Sequence, residues 1–164
     1  MNKNCIVAQS GGPTAAINAS LAGVIAAARD FGIYDKIYGA IHGIQGVLKK
    51  HFLDLSDKDD AFIQKLARTP AMYLGSCRFK LPDMSEDISM YEEIFSIFEE
   101  MNIGAFFYIG GNDSMDTVAK LSAYAASIGN DIRIIGVPKT IDNDLIMTDH
   151  TPGFGSAAKY IATI

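Results

Sequence analysis

Residues 138–144 (PKTIDND) form the densest group of reactive side chains in the sequence. Lys139, Asp142 and Asp144 follow directly after the apolar run 132–137. An aspartate beside a metal-bound phosphate can accept a proton from an alcohol, and a second aspartate can organise the metal. A lysine can neutralise charge on a transferring phosphoryl group. A solvated loop seldom combines these residues after a buried strand, so the segment favours phosphoryl-transfer chemistry over a purely structural role.

A turn with adjacent glycines follows the first apolar run of the chain. Residues 9–14 (QSGGPT) include Gly11 and Gly12, which let the backbone approach an anion closely. Pro13 suits the first position of a helix that would begin there, and the free N–H groups of a helix start attract phosphate. An ordinary tight turn, in which a serine or threonine caps the helix, explains the same residues. Both interpretations stay open from this turn alone.

A second glycine turn occupies residues 108–114 (YIGGNDS) and again leads from an apolar run into a helical pattern. Gly111 and the residues around it can cradle a phosphate, while Asn112 and Asp113 can offer oxygen atoms to a hard cation such as Mg²⁺. The alternative is that Asp113 or Ser114 only caps the next helix. The turn by itself does not decide between them.

Two isolated residues have weaker signals. Arg78 follows the small-residue turn 75–77, and an arginine suits bidentate phosphate binding, although a lone arginine is more commonly a surface residue. His150 lies in a glycine-bearing loop with no third group to orient it as a catalytic base, so we interpret it as structural or solvent-facing.

The elements that must position these turns can be read from the apolar pattern. It predicts strands at 5–8, 37–41, 105–109 and 132–137, helices at 15–31, 59–68, 88–101 and 115–128, and a final helical stretch after Gly155. Alternating strands and helices predict an α/β fold, a Rossmann-like three-layer sandwich with a mostly parallel sheet. Such sheets bind ligands at the carboxyl ends of their strands.

Composition narrows the functional classes. The net charge is −5 with no basic run, which argues against a nucleic-acid or membrane-surface partner. We find no signal segment and no apolar stretch long enough to span a bilayer. Cys5 and Cys77 lack metal or disulfide spacing, and Cys5 is interpreted as a core thiol. A reducing cytoplasm is therefore the expected compartment.

Taken together, the motifs resemble those of the 6-phosphofructokinase family. The matching segments are residues 10–12 (SGG), 74–79 (LGSCRF), 110–114 (GGNDS) and 138–144 (PKTIDND), and the TIDND sequence is highly specific. Their order and spacing agree along essentially the whole chain. The resemblance implies that residues 1–164 are the N-terminal phosphoryl-donor-binding domain of a longer subunit, whose C-terminal half carries most of the sugar-phosphate site. The domain alone is then expected to be inactive or nearly so, and the full-length protein to be a homo-oligomer.

The resemblance also implies roles for individual residues. The family transfers a phosphoryl group to the 1-hydroxyl of fructose 6-phosphate, giving fructose 1,6-bisphosphate, with Mg²⁺ as cofactor. Asp142 would be the base, and Thr140, Ile141 and Asp142 would contact the sugar phosphate. Catalysis would also involve Lys139, Asp113 and Thr140. The donor would be bound by Gly11, Gly12, Arg78, Gly111 and Ser114. Asp144 would help to organise the metal together with Asn112, which stands where the family usually has an acidic residue.

Two positions suggest pyrophosphate rather than ATP as the donor. ATP-dependent members usually have glycine at the positions of Asp113 and Lys139, and both residues here resemble those of pyrophosphate-dependent members. A carboxylate at 113 would repel the α-phosphate of ATP, while Lys139, expected two strands away along the sheet edge, would serve the shorter donor. Ile44, near the position of an aromatic residue in many ATP-dependent members, is a weaker indication. The alternatives are an ATP-dependent phosphofructokinase and a non-catalytic phosphate-binding or regulatory module.

Overall fold

The structure, a computed structural model, describes residues 2–164. Its five-stranded sheet has the order β3-β2-β1-β4-β5. The strands are β1 (Lys3–Gln9), β2 (Tyr34–Ala40), β3 (Phe52–Asp54), β4 (Ile103–Gly110) and β5 (Arg133–Pro138). All neighbouring pairs are parallel except β2 and β3, which are antiparallel. The expectation of an α/β fold with a mostly parallel sheet is confirmed.

Six helices accompany the sheet in the described part of the chain. They are α1 (Ile17–Phe31), α2 (Gly43–Leu48), α3 (Asp60–Ala67), α4 (Ser89–Glu100), α5 (Asn112–Ser127) and α6 (Phe154–Thr163). Asp59 caps α3 by accepting a hydrogen bond from the Phe62 N–H at 2.8 Å. Within residues 2–164, no helix is long and apolar enough to cross a membrane.

The core forms two layers because side chains of a strand alternate between the faces of the sheet. In β1, Ile6 and Ala8 join a cluster with apolar residues of α2, α4 and α5. Cys5 and Val7 point to the opposite face and join a cluster with α1 and α3. This arrangement is the three-layer sandwich expected from the alternation of strands and helices. Helix α6 buries none of its residues.

The sheet order creates a crevice between β1 and β4, at the carboxyl ends of these two strands. The chain moves from β1 to β2 on one side and from β4 to β5 on the other, so the loops after β1 and β4 diverge. Ligands of open α/β sheets bind at such a switch point, outside the carboxyl ends of the strands. Both glycine turns of the sequence lie there.

Several details differ from the sequence interpretation. Strand β3 and helix α2 were not expected. Pro13 is not the first residue of a helix, because α1 begins only at Ile17. Ile44 is fully buried in the core and lines neither cleft, so the weak indication of the donor drawn from this position is not supported. Cys5 is the core thiol expected, and burial raises the pKa of this thiol to about 12.

Candidate active site

A cleft of about 660 Å³ opens at the switch point of the sheet. One wall is the loop after β1, with Ser10, Gly11 and Gly12, and a second is the start of α5. A third wall comes from residues 76–79, which belong to neither a helix nor a strand. The complete lining is Ser10, Gly11, Gly12, Ser76, Cys77, Arg78, Phe79, Gly111, Asn112, Asp113 and Ser114.

The start of α5 gives this cleft an anion-binding wall. Gly111 is the N-cap and has no side chain to bond the first turn, so N–H groups at the helix start are available to a ligand. Asp113 lies in that first turn and lines the cleft with its exposed side chain. Ser114 is buried, and a Cβ on Gly110 would overlap its hydroxyl. Neither Asp113 nor Ser114 is the helix cap that the alternative interpretation of this turn required.

A second cleft of about 330 Å³ adjoins the first. Its lining consists of Gly12, Pro13, Thr14, Gly111, Asn112, Lys139, Thr140, Ile141 and Asp142. Gly12, Gly111 and Asn112 line both clefts and therefore form a common rim. The rim has only one side chain, the carboxamide of Asn112, so groups bound in the two clefts would face each other over exposed backbone.

Lys139 bonds to backbone groups of two segments beside the rim. Its Nζ donates a 2.7 Å hydrogen bond to the Gly12 carbonyl, and its backbone N–H donates to the Gly110 carbonyl at 2.8 Å. A Cβ on Gly11, whose φ is +81°, would lie 3.4 Å from that Nζ. The ammonium of Lys139 thus contacts the loop after β1, while its backbone N–H bonds to the last residue of β4. Lys139 and Asp113 follow the adjacent strands β5 and β4, rather than strands two apart as expected.

The ammonium of Lys139 is partly shielded from water. Burial lowers its pKa from the ordinary lysine value of 10.5, and the negative charge of Asp142 acts in the opposite direction. A desolvated cation interacts more strongly with a bound anion than a fully hydrated one does. The lysine can therefore act on a phosphate at the rim.

The loop that carries Asp142 is held by its own side chains. The backbone N–H of Asp142 donates to the Thr140 hydroxyl at 3.0 Å. Asn143, at a φ of 58°, donates to the Asp149 carbonyl at 3.1 Å and accepts from the Thr151 N–H at 2.9 Å. These bonds close residues 143–151 into a compact loop and leave the Asp142 side chain exposed at the second cleft.

The structure brings most of the proposed site residues together. Gly11, Arg78, Asp113 and Ser114 line the first cleft, Lys139, Thr140, Ile141 and Asp142 line the second, and Gly12, Gly111 and Asn112 line both. Asp144 lines neither cleft. His150 is exposed, in agreement with a solvent-facing role.

The clefts also include residues that the sequence interpretation did not assign to the site. Ser10, Ser76, Cys77 and Phe79 line the first cleft, and Pro13 and Thr14 line the second. Ser76 was predictable, because it belongs to the small-residue turn directly before Arg78. No sequence signal distinguishes Thr14, whose Oγ1 is buried without a hydrogen-bond partner among residues 2–164.

No cluster of three or more His, Cys, Asp or Glu side chains forms a metal site within residues 2–164, so a magnesium ion at the second cleft would depend mainly on substrate oxygens. Asn112 offers a neutral carboxamide oxygen and Asp142 a carboxylate to the same cleft. Mg²⁺ usually keeps several water ligands and takes one or two carboxylates plus substrate phosphates, so this modest set of protein ligands suits it.

Comparison with known proteins shows what the chain is similar to. It is 47% identical over 157 residues to a pyrophosphate–fructose 6-phosphate 1-phosphotransferase of Rhodospirillum rubrum and 48% identical over 161 residues to one of Xanthomonas campestris. These alignments cover 96% and 98% of this chain. A crystal structure of the pyrophosphate-dependent phosphofructokinase from Nitrosospira multiformis matches with a TM-score of 0.87 and 48% identity, over 98% of this chain and 40% of that one.

The chain matches only part of each of these longer proteins. It spans 38% of the length of each of the two curated relatives. The family model described as phosphofructokinase matches residues 4–164, nearly the whole sequence. On this match, and on the glycine turns and PKTIDND loop that line adjoining clefts, the chain belongs to the phosphofructokinase family.

Proposed function

We propose that the complete polypeptide containing this chain transfers a phosphoryl group from pyrophosphate to the 1-hydroxyl of fructose 6-phosphate. Residues 1–164 would be its N-terminal domain for binding the phosphoryl donor. The free thiols of Cys5 and Cys77 suit a reducing cytoplasm, where we expect the protein to act as a homo-oligomer.

The observation that carries this proposal is the common rim of the two clefts. A donor in the cleft between the glycine loop and α5 would have its terminal phosphate at Gly12 and Gly111, and an acceptor in the second cleft would approach the same residues from the side of Asp142. Phosphoryl transfer depends chiefly on positioning and charge neutralisation. Two adjoining sites separated by exposed backbone satisfy the first requirement.

The residues of the second cleft would then act as follows. Asp142 accepts the proton of the acceptor hydroxyl, the hydroxyl oxygen bonds to the terminal phosphorus of pyrophosphate, and inorganic phosphate leaves with the electrons of the broken P–O bond. The Thr140 hydroxyl keeps the backbone of Asp142 in place. Lys139, already at the rim, neutralises charge on the group in transfer.

The selection of the donor would rest on Asp113. Its carboxylate lies in the first cleft beside the start of α5. A pyrophosphate bound at the rim would leave this carboxylate free, whereas the longer triphosphate of ATP would bring another phosphate towards it. Like charges at such a site disfavour the longer donor.

Mg²⁺ is the cofactor we propose: Asn112 would hold it at the common rim together with phosphate oxygens of the substrates, and Asp144, which lines neither cleft, would contribute through water. When bound, it would neutralise charge on the phosphates of the donor. The protein groups then supply orientation, and Asp142 supplies the site for the proton.

A comparison of donors on the complete polypeptide tests the proposal. We expect turnover of fructose 6-phosphate with pyrophosphate and Mg²⁺, with release of inorganic phosphate, and little or none with ATP. Turnover with ATP alone would instead favour an ATP-dependent phosphofructokinase. Binding of pyrophosphate and the sugar phosphate without turnover by either donor would favour a non-catalytic module.

The lowered pKa of Lys139 predicts the form of the pH profile. Because the group loses its proton at a lower pH than an ordinary lysine, kcat/KM for pyrophosphate should begin to fall at a lower alkaline pH than the ordinary value of 10.5 implies. In Lys139→Arg the guanidinium stays charged, so the remaining activity should keep its value to higher pH. The measurement is kcat/KM across the alkaline range for both proteins, and an identical alkaline limb would contradict this role of Lys139.

A further inference from the structure

The third wall of the first cleft is formed by a segment with no regular structure of its own. Between the end of α3 at Ala67 and the start of α4 at Ser89, the chain forms neither helix nor strand. This stretch nevertheless places Ser76 and Arg78 at the cleft. A segment without an internal hydrogen-bond ladder must be positioned by contacts from outside.

A buried pair of carboxamides provides several of those contacts. Gln9, at the end of β1, is 0% exposed, and Asn18, in the first turn of α1, is 1% exposed. Asn18 donates from Nδ2 to the Thr69 carbonyl at 2.9 Å and accepts from the Tyr73 N–H at 2.9 Å. Gln9 accepts from the Leu74 N–H at 2.9 Å. Three backbone groups just before the cleft wall are thereby held by two side chains on a strand and a helix of the core.

The same pair closes the glycine loop. Gln9 Nε2 donates to the Ile17 carbonyl and to Asn18 Oδ1, both at 3.1 Å, and so joins the two ends of residues 10–16. Both amide hydrogens of Gln9 are used, and Asn18 Oδ1 accepts two bonds. A buried network in which each side-chain nitrogen and oxygen has a partner favours one arrangement of the groups it joins.

Direct hydrogen bonds then join the two walls at the surface. Ser76 Oγ donates to the Gly11 carbonyl at 2.7 Å, and Ser10 Oγ donates to the Cys77 carbonyl at 3.3 Å. These bonds form only if the glycine loop and residues 76–77 lie at the correct distance from each other. The buried pair bonds backbone groups next to both segments, at Ile17 and at Thr69, Tyr73 and Leu74.

We propose that Gln9 and Asn18 are positioning residues for the phosphoryl donor: they set the distance between the glycine loop and the wall that carries Ser76 and Arg78. They act through backbone groups and do not line either cleft. The inference rests on the proposed assignment of the first cleft to the donor. Its consequence is that loss of the pair weakens donor binding selectively, with smaller effects on the acceptor.

Asn18→Asp in the complete polypeptide tests this proposal. The carboxylate keeps an acceptor for Tyr73 but faces the Thr69 carbonyl without a proton to donate. We expect KM for pyrophosphate to rise about tenfold, as expected for loss of a buried hydrogen bond of about 1.4 kcal/mol. KM for fructose 6-phosphate should stay within about twofold, because residues 69–79 do not line the second cleft.

Asn4→Asp is the matched control. Asn4 also donates from Nδ2 to a backbone carbonyl, that of Met101 at 2.7 Å, but it lies at the opposite end of β1. The same chemical change there should lower stability and leave KM for pyrophosphate unchanged. If Asn4→Asp raises that KM as much as Asn18→Asp does, or if Asn18→Asp does not raise it, the positioning role is refuted.

Two further measurements distinguish the positioning role from misfolding of a variant and from an error in the assigned donor. Gln9→Met removes the Gln9 hydrogen bonds without adding a buried charge, and it should give the same selective rise in KM in a protein that melts cooperatively. Hydrogen exchange at the Leu74 amide, whose acceptor is removed in Gln9→Met, should be faster in that variant than in the parent protein. Hydrogen exchange does not depend on which donor is used. An unchanged exchange rate would therefore refute the positioning role of Gln9 and Asn18 even if pyrophosphate is not the donor. Absence of turnover with pyrophosphate in the parent protein would refute only the proposed function.

Discussion

Replacing Asp142 with asparagine in the complete polypeptide is expected to lower kcat by about a thousandfold, the usual contribution of a positioned general base. The carboxamide has nearly the same shape and can still accept the hydrogen bond from a bound sugar, but it cannot take the proton. Binding of fructose 6-phosphate, measured by calorimetry, should therefore change little. The backbone bond from Asp142 to Thr140 does not involve the Asp142 side chain and should survive the substitution.

Asp149→Asn is the control for this experiment. Asp149 is an exposed aspartate of the same loop whose side chain lines neither cleft. The same loss of one negative charge there should leave kcat within about twofold, since surface changes away from a site have small effects. A kcat for Asp142→Asn close to that of the control would remove Asp142 as the base.

The double substitution Asp113→Gly with Lys139→Gly is expected to shift donor preference towards ATP by at least about a hundredfold in the ratio of kcat/KM values, or about 2.7 kcal/mol. Removing the Asp113 carboxylate relieves a like-charge contact with a longer donor, and such contacts cost several kcal/mol. Removing Lys139 takes away the ammonium that bonds the Gly12 carbonyl at the rim and lowers activity with pyrophosphate.

The two single variants separate these effects. Asp113→Gly should raise kcat/KM for ATP, while Lys139→Gly should mainly lower kcat/KM for pyrophosphate. Asp116→Gly provides a control, because Asp116 lies on the same helix but pairs with Lys120 outside both clefts. It should cost stability without changing the donor ratio. A donor ratio that does not move in the double variant would show that donor selection lies elsewhere.

The parts of the fold that were predictable are those with a strong apolar pattern. Strands β1, β4 and β5 are apolar runs flanked by polar or turn residues, and helix α1 is a long stretch of small and apolar residues. The glycine turns and the PKTIDND loop were expected at the carboxyl edge of the sheet, and they line adjoining clefts there. These features were accessible from local sequence because each is determined by residues close together in the chain.

Helix α2 and strand β3 were missed for physical reasons. Helix α2 has six residues, two of them glycines, which are poor helix formers. Gly46 is needed because a Cβ there would overlap the Ile41 carbonyl, a contact that only the tertiary structure reveals. Strand β3 has three residues and pairs antiparallel at the edge of the sheet, too short for a periodic signal.

The start of α1 was misplaced because its loop has a different organisation from the one expected. Pro13 suggested a helix start, but residues 10–16 form an irregular loop. The hydrogen bond from Gln9 Nε2 to the Ile17 carbonyl closes this loop. The neighbouring positions of Lys139 and Asp113 depend on sheet order, which the strand pattern alone does not determine. Long-range pairing of this kind decides the detail of the site.

The common rim of Gly12, Gly111 and Asn112 has a consequence for inhibitor chemistry. Since the two clefts adjoin, a single compound could link a non-hydrolysable bisphosphonate to a sugar phosphate mimic and occupy both at once. Each half would raise the effective concentration of the other, provided that the linker matches the width of the rim. Because that rim is mostly backbone, few side-chain substitutions there could exclude such a compound without also obstructing the approach of the natural ligands.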